Sequence, residues 1–101
     1  GGRKKVKDSD AAILKSLAVS IDPALAAELG ANTGTVLFRL FVGDLATPRV
    51  EVSLKAILDA GGSRPLNIRV APGEVLECRL VAPDIAGLRK KLKLSLEIRT
   101  A

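Results

Sequence analysis

Five residue types do not occur in this 101-residue chain: His, Met, Gln, Trp and Tyr. If those types make up about a tenth of ordinary usage, their joint absence is improbable by roughly five orders of magnitude. Without histidine there is no Ser–His or Cys–His pair to activate a nucleophile, and no imidazole ligand for a metal. One cysteine, Cys78, excludes an intrachain disulfide and any intrachain zinc site with two or more thiolates. Aromatic residues are only 2% of the chain, Phe38 and Phe41, so the stacking rings used for single-stranded nucleic acid are nearly missing. No uncharged apolar run approaches the roughly 18 residues of a membrane-spanning helix. The basic start Gly1–Lys5 leads into no apolar segment of a secretory signal, and Gly1-Gly2 without Met reads as a tag-cleavage scar or a processed end.

What is present is aliphatic and basic. Hydrophobic residues are 48% of the chain, nearly all Leu, Val, Ile and Ala, enough for the core of one domain. The net charge is +5, but Arg3, Lys4, Lys5 and Lys7 supply most of it, and residues 8–101 carry only +1. Residues 1–10 therefore read as a basic N-terminal tail and residues 11–101 as a single domain. A second basic cluster is Arg89, Lys90, Lys91 and Lys93. Such charges serve either as a solubilising tail and an edge that deters strand pairing, or as contacts for a polyanion.

Alternation with period two dominates the pattern. Leu92, Leu94, Leu96 and Ile98 fall on one face, with Lys91, Lys93, Ser95, Glu97 and Arg99 on the other. Val50, Val52, Leu54 and Ala56 alternate with Glu51, Ser53 and Lys55, predicting one continuous strand. The same phase joins Leu66, Ile68 and Val70, and again Leu76, Cys78 and Leu80, which makes Cys78 a small buried hydrophobe and turns Arg79 outward. Thr35–Val42 is apolar at nearly every position, with Arg39 the exception, the mark of a central strand. Leu17, Val19 and Ile21 mark an earlier strand that begins near Ala12, and a short strand at Val6 is only weakly signalled.

One helix is expected. Asp22 suits the N-cap, Pro23 the first helical position, and Gly30 the left-handed residue that ends Ala24–Leu29. Turn residues separate the strands: Asn32-Thr33-Gly34, Gly43-Asp44 with Thr47-Pro48, the polar break Asp59–Pro65, Ala71-Pro72-Gly73-Glu74, and Ala82–Gly87. Pro72 and Gly73 fit the central positions of a type II turn. Short strands at this spacing predict a mainly β, two-layer antiparallel sandwich of about seven strands, with a small closed barrel as the alternative.

Four pieces carry a resemblance to a known family. They are Leu17-Ala18-Val19-Ser20-Ile21-Asp22-Pro23, Thr47-Pro48-Arg49-Val50-Glu51-Val52-Ser53-Leu54, Val70-Ala71-Pro72-Gly73-Glu74, and Val81-Ala82-Pro83-Asp84-Ile85-Ala86-Gly87. Together they resemble the immunoglobulin-like accessory domains attached to bacterial and archaeal glycosidases, proteases and surface proteins. The chain departs from that pattern in its richness in Leu, its helix at residues 23–29 and its lack of core aromatics. The resemblance implies the sandwich fold and an accessory or adhesive role, and no functional residue.

The remaining chemistry is sparse. Asp8 and Asp10 are the closest carboxylates, but no Asp-rich loop offers the six or so oxygens that calcium needs. Glu74 and Asp84 lie in loops and read as solvated turn residues rather than a hydrolytic pair. Gly61-Gly62-Ser63-Arg64 lacks the spacing of a phosphate loop. No catalytic, metal or cofactor residue is assigned, and the expectation is a non-enzymatic structural or interaction module. Clean alternation, idealised caps and the reduced alphabet point to an engineered scaffold. The alternative is a polyanion-binding module that uses Arg3, Lys4, Lys5 and Lys7 with Arg89, Lys90, Lys91 and Lys93. For a protein partner, the candidate contacts are Leu37 and Phe41, which share a face with Arg39 and which helix residues Leu25 and Leu29 could cover. Self-association through an edge strand is the other route to a partner.

Overall fold

The computed structural model describes the backbone of residues 2–5, and residues 11–82, 88 and 91–100. Its strands are β1 (Gly2–Lys5), β2 (Ala12–Ile21), β3 (Leu37–Val42), β4 (Val50–Ser53), β5 (Ser63–Val70), β6 (Val75–Val81) and β7 (Leu92–Thr100). Two helices, α1 (Pro23–Leu29) and α2 (Leu54–Asp59), lie between them, and a 3-10 segment follows α1 at Gly30–Gly34. The strands form a four-stranded sheet, β1-β6-β3-β4, and a three-stranded sheet, β5-β2-β7. Every pairing is antiparallel. Neither sheet closes on itself, so the closed-barrel alternative does not hold. Only the β3–β4 connection stays within one sheet; the other links between successive strands cross from one sheet to the other.

One aliphatic core lies between the sheets. It joins Leu14, Leu17 and Val70 of the three-stranded sheet to Phe38, Leu40, Val52, Leu76 and Cys78 of the four-stranded sheet. Helix residues Leu25, Leu29, Leu54 and Ile57 complete it. Fully burying one such Leu or Val is worth about 1.5–3 kcal/mol. Thr33 is the only buried polar residue among those described, and its hydroxyl donates to the Gly30 carbonyl at 3.0 Å.

β2 holds two phases of alternation. Ala12 and Leu14 point inward, and then Leu17 and Val19 do. The register explains the switch. Leu14 opposes Ile98 of β7, but Ser16 opposes Glu97, so two steps on β2 match one on β7. Lys15 is the extra residue of a bulge. The spacing of three between Leu14 and Leu17 is how the sequence records it.

α1 forms as its sequence predicts. The Asp22 carboxylate accepts from the Ala24 N–H at 2.9 Å, and Pro23 opens the helix. Gly30 ends it at φ +52° and ψ −122°, a region open to glycine but not the left-handed helical one expected. The strand expected to run through Leu54 and Ala56 stops instead at Ser53. The Ser53 hydroxyl accepts from the Ala56 N–H at 3.0 Å and caps α2, a contact worth about 1 kcal/mol. Leu54 and Ile57, three apart, both enter the core, and Lys55 pairs with Asp59 at 2.7 Å. Residues 50–56 fit either period; the cap and the burial of Ile57 decide for the helix.

Candidate binding surfaces

Alternation sends the aliphatic side chains inward and leaves each sheet an outer face built from the other parity. On the four-stranded sheet that face carries Leu37, Arg39 and Phe41 from β3, Glu77, Arg79 and Val81 from β6, and Glu51 from β4. Register sets their neighbours: Leu37 lies between Ser53 and Val81, Arg39 between Glu51 and Arg79, and Phe41 opposite Glu77. Two like charges, Arg39 and Arg79, thus stand side by side. Each has its own carboxylate, Glu51 at 2.7 Å from Arg39 and Glu77 at 2.7 Å from Arg79. The hydrogen bond to Glu77 holds the Arg79 guanidinium more firmly protonated than usual.

Phe41 is 3% exposed. The Arg79 guanidinium sits 4.1 Å from its ring centroid, a cation–π contact, and also donates to the Leu45 carbonyl at 3.1 Å. Arg79 therefore lies over the Phe41 ring and is itself tied to the Leu45 carbonyl. Leu25 and Leu29 of α1 pack into the interior core, a cluster that leaves Phe41 out. Leu37 is half-buried, and Val81 beside it is 39% exposed.

The three-stranded sheet presents a different face. Ile13 of β2 stands between Arg69 of β5 and Arg99 of β7. Ser20 opposes Lys93, and Ser16 opposes Glu97. Arg69, Lys93 and Arg99 are exposed. Glu97 is the one carboxylate among the described residues of this face, and it pairs with Arg99 at 3.2 Å. No carboxylate of a described residue pairs with Arg69 or Lys93. On β3 and β6 each outward arginine thus has its own carboxylate, whereas on the three-stranded sheet Arg69 and Lys93 have none among the described residues.

Of the basic residues singled out by sequence, Arg3, Lys4 and Lys5 lie in β1, inside the stretch read as a tail. Register puts Arg3 opposite Glu77 and Lys5 opposite Val75. Lys93 lies near the start of β7, in the other sheet, and Lys91 just before that strand. Lys7, Arg89 and Lys90 fall outside the described residues, as do Val6, Asp8, Asp10 and Asp84. Arg69 and Arg99 were not legible as site residues. Their exposed parity is visible in the sequence, but their placement on either side of Ile13 comes only from strand pairing.

The loop carboxylate Glu74 has a structural task. It accepts from the Ala71 N–H at 2.7 Å, and its backbone N–H donates to the Ala71 carbonyl at 3.1 Å, closing the turn in which Gly73 has φ +80°. Its carboxylate also occupies the space a side chain at Gly43 would need. Gly61 and Gly62 terminate α2, donating to the Leu58 and Ile57 carbonyls at 3.0 and 2.8 Å. Cys78 is 1% exposed, and burial pushes its thiol up to about 11. No group of three or more potential metal ligands occurs among the described residues, and none of their helices is long and apolar enough to cross a membrane. The chain matches no protein-family model, no curated protein and no solved structure.

Proposed function

We propose that this chain is a non-enzymatic interaction module. The sandwich is its scaffold, and the outer face of the three-stranded sheet is its working surface. The supporting observation is a local excess of positive charge: Arg69 and Arg99 flank Ile13, Lys93 stands on the same face, and Glu97 is the sole carboxylate of a described residue there. A surface of that sign favours a polyanion, bound through phosphates or sulfates rather than by ring stacking. The basic residues of β1 and the cluster around Lys91 are the competing contacts.

An immunoglobulin-like accessory domain is the fold reading that accompanies this function. In that sandwich the second strand neighbours the fifth and the third neighbours the sixth. The pairs β2–β5 and β3–β6 follow this rule. Three strands depart from it: β1 lies beside β6, β4 beside β3 and β7 beside β2, where the family has its first strand beside the second, its fourth beside the fifth and its last beside the sixth. An engineered origin is supported by the missing residue types and by a side-chain cap at the start of each helix.

The deciding experiment is an amide ¹H–¹⁵N spectrum titrated with a short heparin fragment at about 150 mM salt. Saturating shifts at Arg69, Lys93 and Arg99 are expected. Shifts confined to residues 3–7 and 89–93 move the site to the basic clusters. A well-dispersed spectrum that does not respond removes the polyanion reading and leaves a scaffold for some other partner.

A further inference from the structure

We infer that β1 is a weak occupant of the β6 edge, and that this edge docks an extended segment of another protein, with apolar side chains at alternate positions, in place of β1. The inference concerns one flank of the sandwich, not the basic face, and does not depend on anion binding.

β1 pairs with β6 over four residues: Gly2 opposite Cys78, Arg3 opposite Glu77, Lys4 opposite Leu76 and Lys5 opposite Val75. Residues directly opposite in an antiparallel pair share a face of the sheet. Cys78 and Leu76 are 1% and 0% exposed, so Gly2 and Lys4 hold core-side positions of the register. On the other side of β6 the same two residues meet Leu40 and Val42 of β3, both buried. Where β3 supplies two aliphatic residues, β1 supplies a glycine and a lysine, neither of which favours a strand. No residue of Gly2–Lys5 brings an apolar side chain to the pairing.

The facing sheet has a matching gap. α2 joins β4 to β5 and packs against both, so those two edges share one flank and β1 and β7 share the other. On the α2 flank, Leu54 and Ile57 are fully buried. On the β1 flank, Leu94, Leu96 and Ile98 of β7 are only half-buried, although the β2 residues opposite them, Val19, Leu17 and Leu14, are buried. A strand with Val, Leu or Ile at the positions of Gly2 and Lys4 would cover that aliphatic strip and keep the main-chain ladder that β1 now makes. The β1 of a second copy carries the same glycine and lysine and gains nothing by exchange. The occupant is therefore a different polypeptide. Local rules of this kind are broken mainly at functional sites.

The probe is the peptide Thr-Val-Arg-Val-Thr-Val-Arg-Thr, titrated into the full chain and followed in the amide ¹H–¹⁵N spectrum. Saturating shifts at residues 75–78 and 94–98 are expected, with the amides of residues 3–5 moving to unpaired positions. Apparent affinity scales with the fraction of chains whose edge is open. Gly2→Val with Lys4→Val gives β1 the core-side residues it lacks and should weaken peptide binding about tenfold or more. Arg3→Val with Lys5→Val puts the valines on the other parity and should change binding less than about threefold. Arg3→Pro with Lys4→Pro removes a ladder donor whichever of the two faces β6, and should tighten binding about threefold or more. No binding to the parent or to the proline variant overturns the inference. So do shifts confined to other strands, or equal effects of the two valine pairs. Dimers of the parent chain in sedimentation equilibrium without peptide, dissociated by adding it, would make a second copy the occupant and overturn it too.

Discussion

Cys78 shows what a single parity decides. It lies between Leu76 and Leu80 on β6, opposite Leu40, and is buried in the core. Cys78→Ser puts a hydroxyl where no acceptor is assured and should cost about 1–3 kcal/mol, measured by denaturant unfolding. A loss of only a few tenths would place the side chain at the surface. The thiol also links stability to pH. Its folded value is raised from 9.0 to about 11 by desolvation, so the neutral form is the one the fold retains. Below pH 9 both states keep the proton and nothing changes. As pH rises from 9 to 11 the unfolded chain loses its proton first, and stability falls by about 2–3 kcal/mol at the upper end. Cys78→Val should lack that component, which a comparison of the two proteins across this pH range would isolate. Both the burial of Cys78 and the outward turn of Arg79 were legible, because they need only the phase of one strand. The stacking of Arg79 on Phe41 was not, because it needs the knowledge that β6 lies beside β3.

Elements that obey one period were legible; those where two periods compete were not. α1 announced itself through Asp22, Pro23 and Gly30, each a local constraint. α2 did not, because Val50, Val52, Leu54 and Ala56 satisfy a strand as well as Leu54 and Ile57 satisfy a helix. The bulge in β2 lies between these cases. Its trace is the change of phase from Ala12 and Leu14 to Leu17 and Val19, and its meaning depends on β7 advancing only from Ile98 to Glu97. Deleting Lys15 would force β2 into a single phase and turn either Ala12 and Leu14 or Leu17 and Val19 toward water. At about 1.5–3 kcal/mol for each large aliphatic side chain, the loss should be about 3–5 kcal/mol. Lys15→Ala keeps the residue count and should lie within about 0.5 kcal/mol of the parent, as surface changes usually do. Equal stability of the two variants in urea melts would show that the bulge does not set the phase.

Across the whole molecule, the two-layer arrangement followed from composition and alternation, while the surfaces depended on strand order. Net charge placed the basicity near the chain start. Strand order instead brings Arg69, from the middle of the chain, beside Arg99 near its end, with Ile13 between them. On the other sheet it brings Arg39 beside Arg79 and supplies Glu51 and Glu77 to balance them. Sequence lists the outward residues strand by strand; pairing alone turns those lists into the matched ion pairs of β3, β4 and β6 and the basic cluster around Ile13.

The crossing connections have a kinetic consequence. Because β3–β4 is the only link that stays within a sheet, almost no ladder can close between neighbours in the chain. β2 must wait for β7, from residues 12–21 to residues 92–100, and β1 for β6. Chains dominated by such distant pairings fold in roughly milliseconds to seconds rather than microseconds, because loop entropy is lost before contacts are gained. No run of consecutive strands makes a complete sheet, so no half of this molecule can form ahead of the rest.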